Sequence, residues 1–395
     1  MKNVWGKGLF LFLCLVFVVF SSYVSAVPAH AEGKPLTIGL LLPYTGFDPR
    51  NAPQMEAATR QRLDEIGWKV GDRKVQLITA DEATDPNVGV QKAMKLVQQD
   101  KADVILGTLF GNVAIAVAGY CNRVGVPFAP YIEQSYSVIK TAPQGALLPT
   151  GTLKGSTYPG GLYAYDKLGF KTASILYSDY VAGEEYIGGF VEGFQKHGGS
   201  IVQRQAVPLG TLDFAPFLTN LQKADVVAFW FAGTMGPFLK QFFEFKQGQP
   251  VIAPTYWTIE PEIMNELGDK AVGVIGTGHD SPEMNFAKNR QFVEAMKKRL
   301  NGETPNHYMY SAYITTATYL EAAKATGGDT SRDKIIKAWR KVKIETPMGV
   351  VSFDKDGCGV GDLYVFRFQK EKGNYHWQIV DEGQYKQKPV RAPSE

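Results

Sequence analysis

The chain has 395 residues, of which 45% are hydrophobic and 21% charged, and its formal net charge at pH 7 is +3. So small a net charge excludes the concentrated basic surface that nucleic-acid binding requires. The length exceeds what a single hydrophobic core usually holds, so the sequence predicts two domains.

The first 31 residues have the layout of a secretory signal peptide. Two lysines precede an uncharged apolar run, Leu9–Phe20, and small residues follow it. The run is shorter than the roughly 20 residues of a membrane-spanning helix, which makes an uncleaved anchor the weaker alternative. The pattern Ala29-His30-Ala31 predicts cleavage before Glu32, with Val24–Ala26 as the second choice. We therefore predict an exported protein.

Two cysteines remain after this leader, Cys121 and Cys358. They are far apart in the sequence, and an exporting compartment permits a disulfide between them. Two free, buried thiols are equally compatible with the sequence.

From residue 36 onward, strands and helices alternate. The first strand, Leu36–Leu42, is a continuous apolar run ended by Pro43, as expected of a buried strand. Further strands are predicted at 75–78, 104–106 and 126–129, with helices at 55–66, 90–97 and 113–123. After a predicted loop at Leu153–Thr157 the pattern restarts, with strands at 174–177, 201–203, 226–231, 251–253 and 272–275 and helices at 184–197, 215–221 and 236–247. The last predicted elements are helices at 285–300, 311–325 and 332–340 and strands at 350–353, 363–368 and 376–380.

This alternation predicts an α/β fold of two doubly wound, Rossmann-like units. Each unit would have a mostly parallel sheet that is covered by helices on both faces. No long stretch of low sequence complexity is present, and only the polar residues 386–395 are expected to form a loose tail.

Motifs of enzymes and metal sites are missing from the sequence. It contains no G-x-S-x-G, no H-E-x-x-H and no G-x-x-x-x-G-K-[ST] motif. The segment Asp354–Gly357 is similar to the start of a calcium loop but lacks the remaining ligands, which favours an ordinary turn. The pair His279-Asp280 suggests catalysis, yet no nucleophile is near it in the sequence. We therefore predict no catalytic residue, no cofactor and no metal, with a secreted enzyme as the weakest alternative.

The loops after the predicted strands indicate a binding site, because ligands of open α/β sheets bind at the carboxyl ends of the strands. These loops are rich in aromatic residues, which are typical of small-molecule pockets, although packing between loops is the alternative. Asn112 is also a plausible cap for the helix that follows it. The predicted site residues are Tyr44, Phe47, Leu109, Phe110, Gly111, Asn112, Tyr131, Ile132, Glu133, Tyr180, Ala182, Thr234, Met235, Tyr256 and Trp257.

Five segments carry a family resemblance: Ile38–Gly46, Ala80–Pro86, Asp103–Gly107, Gly125–Pro127 and Asp213–Phe214. With them, residues 36–368 resemble the leucine/isoleucine/valine-binding protein family, the type I periplasmic binding proteins of ATP-driven importers. The resemblance implies a periplasmic, monomeric protein that closes on a small molecule and then docks on a membrane permease.

It also implies two lobes that are joined by three crossovers, which we place near residues 154, 281 and 347. Lobe 1 would comprise residues 32–153 and 282–346, and lobe 2 residues 154–281 and 347–385.

The same comparison bears on the ligand. Family members that bind amino acids hold the carboxylate with hydroxyl residues where this chain has Phe110–Asn112, and the ammonium with an acid where it has Thr255–Trp257. The stretch 107–117 looks more like the branch for aromatic carboxylates of the benzoate, hydroxybenzoate or cinnamate type. Asn112 and the N–H groups of its helix would hold the carboxylate, whereas an unpaired Glu133 would repel it. A hydrophobic amino acid is the alternative ligand, and a ligand sensor for a signalling partner is the alternative class.

Overall fold

Two separate sheets organise the chain. The computed structural model describes residues 33–47, 49–245, 248–259 and 261–381. The predicted signal peptide, the cleavage site and the tail lie outside these residues. Within the described ranges, no helix combines the length and the hydrophobicity of a membrane span.

The first sheet has five strands in the order β2-β3-β1-β4-β5. These are β1 (Leu36–Leu42), β2 (Lys69–Val70), β3 (Arg73–Asp81), β4 (Val104–Gly107) and β5 (Phe128–Ala129). All pair in parallel except the hairpin of β2 with β3. All seven residues of β1 are buried, as its apolar run predicts.

Helices cover both faces of this sheet and supply two apolar cores. They are α1 (Asn51–Glu65), α2 (Pro86–Gln98), α3 (Gly111–Val124), α4 (Ser137–Thr141) and, from later in the chain, α10 (Ala287–Arg299), α11 (His307–Ala325) and α12 (Arg332–Trp339). The core with α1 and α11 is the larger, and it contains the fully buried Trp339.

The second sheet has seven strands in the order β15-β14-β10-β9-β8-β6-β7. These are β6 (Thr172–Ser178), β7 (Ser200–Val207), β8 (Val226–Trp230), β9 (Val251–Ala253), β10 (Ile275–Gly278), β14 (Tyr364–Glu371) and β15 (Asn374–Asp381). Its helices are α5 (Leu153–Asp166), α6 (Val181–Lys196), α7 (Ala215–Thr219), α8 (Met235–Glu244) and α9 (Pro261–Leu267). The strands pair in parallel except β14 and β15. The prediction of two doubly wound α/β units is therefore confirmed.

The chain passes between the sheets three times: after α4, after β10 and before β14. A small sheet of β11 (Ile344–Thr346), β12 (Gly349–Phe353) and β13 (Gly359–Val360) precedes the third passage. Met348 and Val351 of this sheet pack in the core of the first lobe. We therefore place the third crossover after Val360 and not near residue 347, where the sequence led us to expect it.

Backbone hydrogen bonds join the first passage to the segment that precedes the third. The N–H of Leu148 donates to the carbonyl of Gly357 over 2.9 Å, and the N–H of Gly359 donates to the carbonyl of Leu148 over 2.7 Å. Cys358 between them is buried, as is Cys121, and neither forms a disulfide among the described residues. Of the two alternatives left open by the sequence, the structure therefore has the unbridged, buried cysteines.

The predicted loop at Leu153–Thr157 is wrong, because these residues begin helix α5. The side-chain hydroxyl of Thr152 caps the helix by accepting from the N–H of Gly155 over 3.0 Å. Further glycines bring the backbones of α5 and α6 into direct contact: a Cβ on Gly193 would overlap the carbonyl oxygen of Tyr158. Glycine disfavours an isolated helix, so packing between the two helices stabilises α5 where propensity does not.

Candidate functional site

Aromatic side chains gather where the strands of the second sheet end. Tyr186 and Trp230 pack with ring centroids 4.7 Å apart, and Tyr180 lies 6.0 Å from Trp230. The predicted residues Ala182 and Trp257 join this cluster from neighbouring loops. The strand β8 and the helix α6 thereby present a continuous aromatic wall.

A smaller aromatic pair lies on the first lobe. The rings of Phe47 and Phe110 meet edge to face, with centroids 5.9 Å apart. Phe47 is 61% exposed, which is unusual for so large an apolar side chain. The structure therefore brings these two predicted residues together and leaves Phe47 available for contact.

A buried cluster of ionisable residues lies beside the aromatic wall. Nε2 of His307 is 3.0 Å from Glu133 Oε2, and Nδ1 of the same ring is 2.7 Å from Asp280 Oδ1. Nε2 of His279 is 3.4 Å from the second oxygen of Glu133. The ring of Trp257 stacks on His307 with centroids 3.9 Å apart and planes inclined by 13°. Residues of both lobes and of the second crossover thus meet at His307.

The charged groups around His307 shift its pKa and that of Glu133. Burial alone would lower the pKa of His307, but Glu133 and Asp280 raise it to about 10. Burial likewise opposes ionisation of Glu133, yet His307 and His279 hold its pKa below the usual value. Burial lowers the pKa of His279. At neutral pH, Glu133 is therefore a carboxylate and His307 an imidazolium, while His279 is neutral.

Buried polar atoms at this place without a hydrogen-bond partner among the described residues include Glu133 Oε1, Tyr186 Oη and Trp230 Nε1. Buried polar groups in native proteins are nearly always hydrogen-bonded to protein or to water. One acceptor and two donors without partners therefore indicate a place where a polar ligand or water binds. Nearby, the hydroxyl of Ser135 donates to Glu185 Oε1 over 2.6 Å, which joins the loop of Glu133 to helix α6.

Three predicted tyrosines bond within the protein instead; two are buried and Tyr44 is half-buried. Tyr131 is fully buried in the first lobe, where its hydroxyl bonds to Thr59 over 2.7 Å and to Thr316 over 3.1 Å. Tyr44 donates to Glu56. Tyr256 packs on Phe366 and donates to the backbone oxygen of Asp280. These tyrosines have partners within the protein, so the structure indicates a packing role for them.

The loop before α3 differs in detail from its prediction. Helix α3 starts at Gly111, so Phe110 occupies the cap position and Asn112 lies inside the first turn. Asn112 is exposed, and its side-chain oxygen accepts from the N–H of Val113 over 3.0 Å. The prediction that Asn112 caps the helix is therefore wrong. Leu109 is buried, and its carbonyl accepts from Gln134 over 3.0 Å.

The remaining predicted residues are Ile132, Thr234 and Met235. Ile132 is half-buried against the core of the first lobe. Thr234 and Met235 begin helix α8, and Met235 is completely buried in the second lobe. These three contribute packing around the loops of the site.

Sequence reasoning missed four residues that the structure brings to the site: His279, His307, Tyr186 and Trp230. His279-Asp280 was visible as a pair but gave no function by itself. His307 begins α11 after the capping residue Asn306, 174 residues from Glu133, and no spacing rule joins the two. Tyr186 lies within a helix and Trp230 within a strand, whereas the topology of the predicted sheet points only to loops. Among the described residues, no three His, Cys, Asp or Glu side chains are arranged to hold a metal ion.

Comparison with known proteins agrees with this architecture. The family model described as periplasmic binding protein matches residues 35–374. The Leu/Ile/Val-binding protein homolog 6 of Brucella melitensis is 28% identical over 375 residues, which are 91% of this chain and 93% of that protein.

Two solved structures share the fold over nearly their whole length. The ABC transporter substrate-binding protein from Sphaerobacter thermophilus is 26% identical, with a TM-score of 0.81 over 88% of this chain and 97% of that one. A solute binding protein of an ABC transporter from Rhodopseudomonas palustris BisB5, in complex with 3,4-dihydroxy benzoic acid, is 29% identical, with a TM-score of 0.81 over 91% and 99% of the two chains. The chain therefore belongs to the periplasmic binding protein family, as a substrate-binding protein of an ABC transporter.

Proposed function

We propose that this protein captures an aromatic or other apolar carboxylate between its two lobes and releases it to the permease of its transporter. The observation that carries the proposal is the aromatic wall of Tyr180, Tyr186, Trp230 and Trp257 beside buried polar atoms that lack partners. Aromatic walls with a few polar groups are the usual make-up of a small-molecule pocket. The relative from Rhodopseudomonas palustris, whose structure contains 3,4-dihydroxy benzoic acid, supports the same ligand class.

The surroundings of Glu133 bear on a carboxylate as well. Glu133 would repel an anion if it were unpaired, and the imidazolium of His307, 3.0 Å away and shared with Asp280, weakens this repulsion. Across the loop, α3 points its N-terminus to the end of the sheet where the site lies, and the partial positive charge of a helix N-terminus favours an anion. We propose that the backbone N–H groups of Gly111 and Asn112 receive the carboxylate, with Phe47 and Phe110 beside the ring.

A hydrophobic amino acid is the second candidate. The Brucella relatives are named for leucine, isoleucine and valine, and Glu133 offers a buried carboxylate that an ammonium group could approach. His307 already compensates this carboxylate, so a second cation there would have to compete with an existing ion pair.

A thermal-shift screen of the protein without its leader tests the ligand class. Benzoates, cinnamates, leucine-type amino acids and short aliphatic acids would be compared at equal concentration, since a ligand that binds only the folded state raises the unfolding midpoint. We expect aromatic acids to raise the midpoint and leucine not to. A shift with leucine, isoleucine or valine alone would refute the aromatic assignment in favour of the second candidate.

Trp257→Ala is expected to weaken binding of the identified ligand by roughly tenfold to a hundredfold, because a large aromatic contact is worth about 1.5–3 kcal/mol. Trp257 is half-buried and touches both His307 and Tyr186. Isothermal titration would measure the dissociation constant. Trp68→Ala is the matched control, because Trp68 lies on the first lobe, where its indole N–H donates to Asp64 over 2.6 Å. An equal loss in both variants would count against a ligand contact of Trp257.

We also propose that residues 1–31 direct export and that the mature protein is a monomer. Mass spectrometry of the secreted protein would identify its first residue, for which we expect Glu32.

A further inference from the structure

The loop of Glu133 and the first turns of helix α6 face each other across the two lobes. The hydrogen bond of Ser135 with Glu185 holds them together at 2.6 Å. Tyr186, the next residue of α6, meets Trp257 edge to face with centroids 6.4 Å apart, and Trp257 stacks on the His307 ring that binds Glu133. The carboxyl group of Glu133 and the hydroxyl of Tyr186 therefore belong to one buried cluster.

Each of these two residues has one polar atom without a hydrogen-bond partner among the described residues, although His279 Nε2 lies 3.4 Å from the oxygen of Glu133. Glu133 Oε1 can only accept, because the group is ionised, whereas Tyr186 Oη can donate. Both side chains are at least 98% buried, Glu133 with 0% and Tyr186 with 2% of their surfaces exposed. Within one cluster, an acceptor and a donor without partners match a group that donates one hydrogen bond and accepts another.

A hydroxyl group has this combination. A ligand carboxylate placed here could not donate to Glu133, and an unsubstituted ring would leave both polar atoms without a partner, which costs binding free energy. An ammonium group could donate to both residues, but it would leave the hydroxyl hydrogen of Tyr186 without an acceptor. The chemistry of the pair therefore selects a hydroxyl over these three alternatives.

We propose that Glu133 and Tyr186 together bind a hydroxyl group on the aromatic ring of the ligand, so that the protein prefers hydroxylated aromatic acids to the unsubstituted parent. This inference rests on the proposed function, and it names the substituent that the site selects. Glu133 accepts the hydrogen of the ring hydroxyl, and Tyr186 donates to its oxygen. His307, held on its other side by Asp280, keeps Glu133 ionised and fixed in orientation.

Isothermal titration with benzoate, 3-hydroxybenzoate, 4-hydroxybenzoate and 3,4-dihydroxybenzoate tests the preference. We expect at least one hydroxylated acid to bind about tenfold to a hundredfold more tightly than benzoate, as expected for a hydrogen bond to a charged acceptor. Equal affinity for benzoate and all three hydroxylated acids would overturn the inference while leaving the proposed function intact. Binding of leucine without binding of any aromatic acid would overturn both.

Two variants assign the preference to the named residues. Glu133→Gln should reduce the ratio of affinities between the hydroxylated acid and benzoate to within about threefold, because the amide no longer carries the charge. Tyr186→Phe should reduce the same ratio by about fivefold, because the ring hydroxyl then loses its donor. It should not lower the unfolding midpoint of the ligand-free protein, since the deleted hydroxyl has no protein partner among the described residues.

Tyr319→Phe is the matched control, because Tyr319 is fully buried against Trp339 in the first lobe and its hydroxyl also lacks a partner among the described residues. It should leave the ratio unchanged. If Glu133→Gln does not fold, Tyr186→Phe still tests the proposal. A ratio of affinities for the hydroxylated acid and benzoate as large as that of the wild type would refute the role of the pair.

Discussion

Replacement of His307 by alanine is expected to lower the free energy of unfolding by about 3–5 kcal/mol. The substitution leaves the carboxylates of Glu133 and Asp280 buried without the imidazolium that lies within 3.0 Å of both. It also removes the ring on which Trp257 stacks. Urea denaturation followed by circular dichroism would measure the change at pH 7.

The surface pair of His197 with Asp166 provides the control, because its two groups are 2.8 Å apart but exposed to solvent. His197→Ala should cost less than about 1 kcal/mol. Equal stability of the two variants would show that the buried cluster does not stabilise the fold.

The pH dependence gives a second measurement of the same cluster. The pKa of His307 is about 10 in the folded protein and 6.5 ordinarily. Because the folded value is the higher one, its stabilisation is complete below about pH 6.5, decreases as the pH rises, and is lost above about pH 10. Across this range the free energy of unfolding of the wild type should therefore fall as the pH rises, with at most the slope of one titrating group. His307→Ala should lack that fall.

Gly193→Ala is expected to destabilise the protein by about 2–4 kcal/mol, although alanine is the better helix former. A Cβ at this position overlaps the backbone oxygen of Tyr158, and a backbone atom cannot turn away as a flexible side chain can. Helices α5 and α6 must then separate, which disturbs Tyr186 and Leu153 in the aromatic cluster. Chemical denaturation and ligand titration would both report the change.

Gly188 lies on the same helix and provides a control, because alanine there should change the stability in the opposite direction. A Cβ there would meet only the end of the flexible Lys154 side chain at 3.6 Å. Gly188→Ala should therefore raise the stability by up to about 1 kcal/mol through helix propensity alone. If both variants were stabilised, the close contact between α5 and α6 would not constrain the fold.

Hydrophobic patterning predicted most of the sheet and helix elements. Strand β1 is the clearest case, because seven consecutive buried residues fit only a strand that is covered on both faces. Helix α5 was missed for a physical reason: Gly155, Pro159 and two further glycines argue against a helix, and only contact with α6 makes it stable. Short elements such as β2 and β13 have two residues each and carry no periodicity.

The candidate site was predictable only in part. Topology pointed to loops, and those loops contain Glu133, Tyr180 and Trp257 of the cluster described above. It could not point to His307, which reaches Glu133 across 174 residues of sequence, or to Tyr186, which faces the site from within a helix. Tyr131 is the opposite case. It lies in a loop and was predicted to line the site, but its hydroxyl forms its hydrogen bonds in the core. Whether such a residue faces the site or packs in the core depends on the side chains that surround it in the fold, and the sequence alone does not show them.

The hydrogen bonds of Leu148 with Gly357 and Gly359 have a mechanical consequence. They bind the first connection between the lobes to the segment from which the third connection starts, and the two chains run in parallel there. The first and third connections therefore leave the first lobe side by side, and a displacement of one at this point must either move the other or break these bonds.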